Sequence, residues 1–187
     1  MILVYFDLET AGLQPQHPTI QLAAVARDGG VELGAFEQKI AFKESDADPV
    51  ALTLNGYTRE AWVDAVAPGV AASRFAAWLR PFCDQARMSK NAKPYSVATL
   101  AGYNALTFDA PRLEKLFGTQ FCPWDRRIRD VLQRVLFWFD EHPDAPKPEN
   151  FKLATVAAHF GIAVDGAHDA LADARMAALV REACCDR

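Results

Sequence analysis

Residues 2 to 6 are apolar without a break, Ile-Leu-Val-Tyr-Phe, and polar residues then arrive abruptly with Asp7 and Glu9. A short run rich in β-formers with no polar alternation predicts a strand covered on both faces and central in its sheet. Ile20 to Ala26 reads as a second strand, Asp28-Gly29-Gly30 as a hairpin turn, and Val31 to Phe42 as a third strand whose in/out parity slips near Phe36, where a bulge is expected. The period then becomes helical: Ala71, Phe75, Trp78 and Leu79 share one stripe, which Pro81 should end or kink. A strand returns at Ser96 to Tyr103. Asp109 to Phe117 reads as a short helix stopped by Gly118, and Ile128, Val131, Leu132, Val135 and Phe139 mark a longer one. After a proline-dense loop from His142 to Pro148, Leu153, Val156, Ala157 and Phe160 predict a helix between Asn150 and Gly161. Ala172, Met176, Leu179, Val180 and Ala183 form the last stripe. With no repeat and no composition break, the pattern predicts one α/β domain over residues 1–187, an antiparallel three-strand meander flanked by helices.

Composition narrows this picture. A chain of 187 residues that is 51% hydrophobic and 24% charged builds a packed core, which excludes a disordered or collagen-like polymer. Cys83, Cys122, Cys184 and Cys185 include no C-x-x-C pair, so neither a disulfide framework nor a zinc site is indicated and a reducing, cytoplasmic setting is expected. No stretch reads as a signal peptide or a membrane span. A formal charge of −4 argues against a broad electrostatic grip on a phosphate backbone, so an anionic substrate would be held locally.

Three segments carry acidic chemistry. Asp7 and Glu9 are two apart at the end of the first apolar run, and the pleat of a strand turns both carboxylates to one face. They repel each other unless a cation intervenes, and their hard oxygens suit Mg²⁺ or Mn²⁺; the plainer reading is a strand end entering a solvated turn through Thr10-Ala-Gly12. Asp109, followed by Ala110-Pro111, is placed as a helix N-cap. If the strand ending near Tyr103 runs parallel to the first, that helix start also reaches the edge holding Asp7. In His168-Asp169-Ala-Leu-Ala-Asp173, Asp169 is a cap, whereas Asp173 faces no Lys or Arg at ion-pair spacing along its helix. His168 is either an ordinary histidine at a helix entry or a base that titrates near neutrality.

Four carboxylates at strand and helix ends, with such a base beside the last, are what two-metal phosphoryl transfer from a nucleic-acid 3′ end requires. In these residues the sequence resembles the DEDDh, DnaQ-like 3′–5′ exonucleases. Phe6-Asp7-Leu8-Glu9-Thr10 looks like their first motif, Gly102-Tyr103-Asn104 through Phe108-Asp109 like their second, and His168 through Asp173 like their third. Leu54-Asn-Gly56-Tyr-Thr and Lys152-Leu153 through Gly161-Ile162 look like connecting segments of the family. Asn104 precedes Asp109 by five residues, where proofreading subunits usually have four, and this spacing is most similar to the bacterial exonuclease I branch, which acts on single-stranded DNA. The further domains of that branch are expected to have no counterpart in these 187 residues.

The resemblance implies an RNase H-like mixed sheet and a metal-dependent 3′–5′ exonuclease of terminal phosphodiesters that releases nucleoside 5′-monophosphates, with a cytoplasmic role such as DNA repair. It implies two Mg²⁺ or Mn²⁺ ions held by Asp7, Glu9, Asp109 and Asp173, with His168 as general base. Thr10, Gly12 and Leu13 would meet the terminal nucleotide, with Tyr103, Asn104 and Phe108 beside it. Single-stranded DNA is favoured over RNA as partner, and the resemblance assigns no polymerase, helicase or oligomeric state. Arg126, Arg127, Arg129 and Arg134 read either as a phosphate track or as a solvated helix face. Two alternatives stay open: an exoribonuclease acting on short RNA, and a non-catalytic nucleic-acid-binding or interaction module with the same fold.

Overall fold

A computed structural model of the chain describes residues 1–164 and 169–185. The first strand, β1 (Ile2–Thr10), outlasts its apolar run, because Asp7 and Glu9 still pair with Ala23 and Gln21 of β2 (Thr19–Asp28). The strand end expected at Phe6 therefore moves to Thr10, and both carboxylates stand within the sheet. Backbone pairing carries the strand on past the change to polar side chains.

β3 (Val31–Lys39) completes the antiparallel meander. Its irregularity lies beside the hairpin turn rather than at Phe36: Ala26 pairs with Gly34 and Arg27 with Glu32, which leaves Leu33 as the extra residue. Phe36 stays in register with Ala24, held inward by rings of Phe75 and Trp78 at 5.3 and 5.6 Å between centroids.

On the other side of β1 the strands run parallel. β6 (Leu100–Gly102) pairs with β1 and β7 (Arg129–Asp130) with β6, giving the order β3-β2-β1-β6-β7. The mixed sheet with its meander is as the pattern predicts. The strand expected over Ser96–Tyr103 is divided, however. β5 (Pro94–Val97) joins β4 (Gln85–Met88) in a separate hairpin, and the chain then turns through Ala98 and Thr99 into β6. At that turn Ala98 bridges to Trp124, and the Thr99 carbonyl accepts from the Val4 N–H at 2.9 Å.

The helices are α1 (Pro49–Leu54), α2 (Pro68–Leu79), α3 (Asp109–Phe117), α4 (Val131–Glu141), α5 (Leu153–His159) and α6 (Ala170–Ala183). The helix expected from Ile128 begins three residues later, where the Asp130 carboxylate accepts from the Leu132 and Gln133 N–H groups and caps α4. Alternation along β1 sorts the helices onto two faces. Val4, Phe6 and Leu8 pack with α2 and α3, whereas Leu3 and Tyr5 pack with α4, α5 and α6. Among the described residues no helix is long and apolar enough to cross a membrane.

Gly102 ends β6 where the backbone passes against β1. A Cβ there would stand 2.7 Å from the Ala105 Cβ and 2.9 Å from the Phe6 carbonyl oxygen. Gly102→Ala is expected to lower unfolding free energy by about 1–3 kcal/mol through overpacking, measured by chemical denaturation against the parent chain.

Candidate metal centre

Asp7 and Glu9 share the parity of Leu3 and Tyr5, so both turn toward the face that α6 covers. Asp169 begins that helix by accepting from the Leu171 and Ala172 N–H groups, as expected of a cap, and Asp173 follows in the first turn. Ion pairs from Arg27 to Glu182 at 3.2 Å and from Arg175 to Glu32 at 2.8 Å tie the same helix to β2 and β3. With α6 held there, carboxylate oxygens of Asp7, Glu9 and Asp173 lie within 4.8 Å of one another.

Asp109 reaches this edge from the opposite face. Because β6 runs parallel to β1, the chain that leaves β6 starts α3 at the end of the sheet where β1 finishes. Asp109 is 5% exposed and is the first helical residue; the cap position is Phe108, which makes no side-chain cap bond. The Asp109 carboxylate faces inward instead, where the N–H groups of Leu8 and of Asp109 itself favour its anion.

The acids hold each other's protons. Burial, then repulsion from Asp109, Glu9, Asp173 and Asp169, pushes Asp7 well above the carboxylate range. Burial, then Asp173 and Asp169, pushes Glu9 up to about 7. Burial likewise lifts Asp109 to about 7, although the Arg112 guanidinium pulls the other way. A divalent cation answers the same repulsion, and oxygen ligands converging this closely fit a hard ion. Asp7, Glu9 and Asp173 could hold one, with Asp109 close enough to Asp7 to raise its proton affinity.

Beside Glu9 lies a groove of about 290 Å³ lined by Thr10, Gly12, Leu13, Val50, Leu54 and Phe108. Thr10 Oγ1 donates to the Gly12 carbonyl at 2.9 Å. Gly12 has φ +148° and lies against the His17 imidazole, where a Cβ would come within 1.9 Å of Nδ1. Leu13 is 79% exposed. Tyr103 and Asn104 are not among the groove's lining: the Tyr103 hydroxyl donates to the Phe151 carbonyl at 2.7 Å, and Asn104 is exposed in a left-handed turn, where its Oδ1 accepts from Thr107. His168 lies outside the described residues. Of the four arginines, Arg127 pairs with Asp125, Arg129 donates to the Arg127 carbonyl, and Arg134 reaches Glu141 and the Cys184 carbonyl.

The sequence reading missed α1, which contributes Val50, Ala51 and Leu54 to the groove. Its start was marked, since Asp48 accepts from the Val50 N–H and Pro49 occupies the first turn, a recognised helix-start pair. The Asn55 amide then donates to the Thr10 carbonyl at 2.9 Å and fixes this helix against the end of β1.

Comparison of the described structure with solved structures places its fold. An exonuclease I structure described as suggesting how processivity is achieved superposes with a TM-score of 0.79 at 20% identity over 100% of this chain and 41% of that one. The chain has the fold of the exonuclease domain of bacterial exonuclease I. The moderately thermophilic exonuclease I of Methylocaldum szegediense matches equally, with a TM-score of 0.79 at 20% identity over 100% and 40% of the two chains. The zinc-bound E. coli exonuclease I complex with single-stranded DNA matches with a TM-score of 0.73 at 21% identity, over 95% and 39%. This chain thus spans about two fifths of the length of the exonuclease I chains it matches. No protein-family model matches the sequence, and no curated protein matches it significantly.

The raised acids set the sign of a pH effect. Glu9 and Asp109 titrate at about 7 when folded, against about 4 when unfolded, so between those values the folded chain binds more protons. Stability of the metal-free chain therefore falls as pH rises from about 4 through 7. Mn²⁺ is expected to raise the unfolding temperature more at pH 8 than at pH 5, where protons already neutralise the site; at a hundredfold excess over Kd the gain is about 2.7 kcal/mol. Asp7→Asn should unfold at a higher temperature than the parent in EDTA at pH 8, and Mn²⁺ should no longer move it.

Proposed function

We propose that this chain is a metal-dependent 3′–5′ exonuclease that removes nucleoside 5′-monophosphates from the 3′ end of single-stranded DNA. The observation that carries the reading is the convergence of Asp7, Glu9 and Asp173 within 4.8 Å, at the edge that Asp109 also enters, on a fold shared with exonuclease I. Relatives of that fold were solved bound to single-stranded DNA, including a dT13 oligonucleotide, which favours DNA as substrate.

In this reading Asp7, Glu9 and Asp173 would hold one Mg²⁺ or Mn²⁺, and Asp109 together with Asp7 would hold a second. Bound there, such ions supply Lewis-acid stabilisation of the reacting phosphate and of the oxygens entering and leaving it. The chain's own residues do the rest. The terminal base enters the groove that Leu13 and Phe108 line, and backbone groups from Thr10 to Leu13 set the sugar and phosphate against the acidic edge. His168 takes the proton of the attacking water. The water oxygen bonds to phosphorus, the bond from phosphorus to the 3′ oxygen of the preceding nucleotide breaks, and that oxygen takes a proton from solvent water as it leaves. Local charge at the metal edge also reconciles an anionic substrate with a net charge of −4.

The test is a product ladder from 5′-labelled single-stranded DNA, duplex DNA and short RNA in Mg²⁺ or Mn²⁺. Stepwise shortening of single-stranded DNA from its 3′ end, abolished by EDTA and by Asp7→Ala, is expected. An internal cleavage pattern, or no shortening in either metal, contradicts the reading, and shortening of RNA alone replaces the substrate. His168→Ala should keep the Mn²⁺ shift in unfolding temperature while turnover falls by about 100-fold or more.

A further inference from the structure

We propose that Arg112 is a positioning residue for the terminal nucleoside, a buried guanidinium that fastens the Leu13 loop and Phe108 into one rigid groove wall. Arg112 is only 9% exposed, yet among the described residues it forms no ion pair. Its fork is spent on backbone instead. One terminal nitrogen donates to the Phe108 carbonyl at 2.9 Å and the other to the Leu13 carbonyl at 2.7 Å. The guanidinium carbon stands 3.6 Å from the centroid of the Phe108 ring, and Nε is buried with no hydrogen-bond partner among the described residues.

Taking a guanidinium out of water without a direct ion pair is unfavourable, even with the Asp109 carboxylate near enough to feel its charge, and an aliphatic residue would serve simple packing better. What an aliphatic residue cannot do is hold two carbonyls from distant segments in the fixed plane of a fork while stacking on an aromatic ring. Those segments are the two that need holding. With its side chain in solvent, Leu13 is fixed through its backbone, and Phe108 lies just before the first residue of α3. Arg112 is three residues after Asp109 on the same helix, so α3 registers the base groove against the acidic edge. Lys115, one turn further on, donates to the Pro15 carbonyl at 2.9 Å and extends the same grip along the loop.

The proposal rests on the exonuclease reading, and its test separates the two. The parent chain, Arg112→Met and Arg112→Lys are compared on a 5′-labelled dT oligonucleotide and on the same strand ending in a 3′ abasic nucleotide, with Mn²⁺ stabilisation as a check on folding and on the acidic edge. Arg112→Met should lower kcat/KM on the normal end about tenfold, the scale of one lost stacking contact, and barely change it on the abasic end, which has no base to seat. Arg112→Lys, which keeps the charge but lacks the planar fork that spans both carbonyls, should fall between. Equal losses on both ends, or no loss on either, overturns the positioning role while leaving the exonuclease reading intact. A parent chain that shortens neither strand overturns both.

Discussion

Carboxylate oxygens from β1 and α6 stand within 4.8 Å of one another on a strand otherwise enclosed by two cores, and each raises the proton affinity of the next. Without a cation the arrangement opposes folding above neutral pH, so the surrounding structure must impose it. The sheet does so through Asp7 paired to Ala23 and Glu9 to Gln21, and α6 does so through the Arg27–Glu182 and Glu32–Arg175 ion pairs. The parallel entry of β6 brings in Asp109. The acids and the start of α3 lie at the end of the sheet where β1 finishes, whereas both ion pairs start from residues in register with Leu3, near the beginning of β1, and the apolar residues of β1 between them supply the rigidity.

Much of this was legible in the sequence because it is written in short-range periodicity. The five apolar residues of β1, the Asp28-Gly29-Gly30 turn and the stripes of α2, α3 and α6 announce themselves by period alone. Asp7 and Glu9 could be assigned to one face from their spacing, and Asp169 as a cap from its position. What escaped depends on contacts between distant segments. Ser96 to Tyr103 reads as one strand, but Ala98 is captured by Trp124 and the run divides between two sheets. Arg129 and Asp130 read as helix and are extended, because Asp130 caps α4 and β7 pairs with β6. The groove beside Glu9 needed α1 and the reach of Arg112 across to Leu13, neither of which has a local period.

Likeness of fold and likeness of chemistry support different parts of the account. At 20% identity the match to exonuclease I establishes how the chain is folded over that portion of the larger enzyme. The chemistry is argued from this chain's own acids, whose burial and mutual repulsion would be hard to sustain in a module that merely kept the scaffold. The groove of about 290 Å³ directly beside those acids is where the proposed reading seats the terminal base.

Anomalous diffraction from crystals soaked in Mn²⁺ tests the central claim most directly. The account predicts a strong peak coordinated by oxygens of Asp7, Glu9 and Asp173, lost in crystals of Asp7→Asn. Saturating Mn²⁺ that leaves this cluster empty, with the three carboxylates unchanged in position, would contradict it.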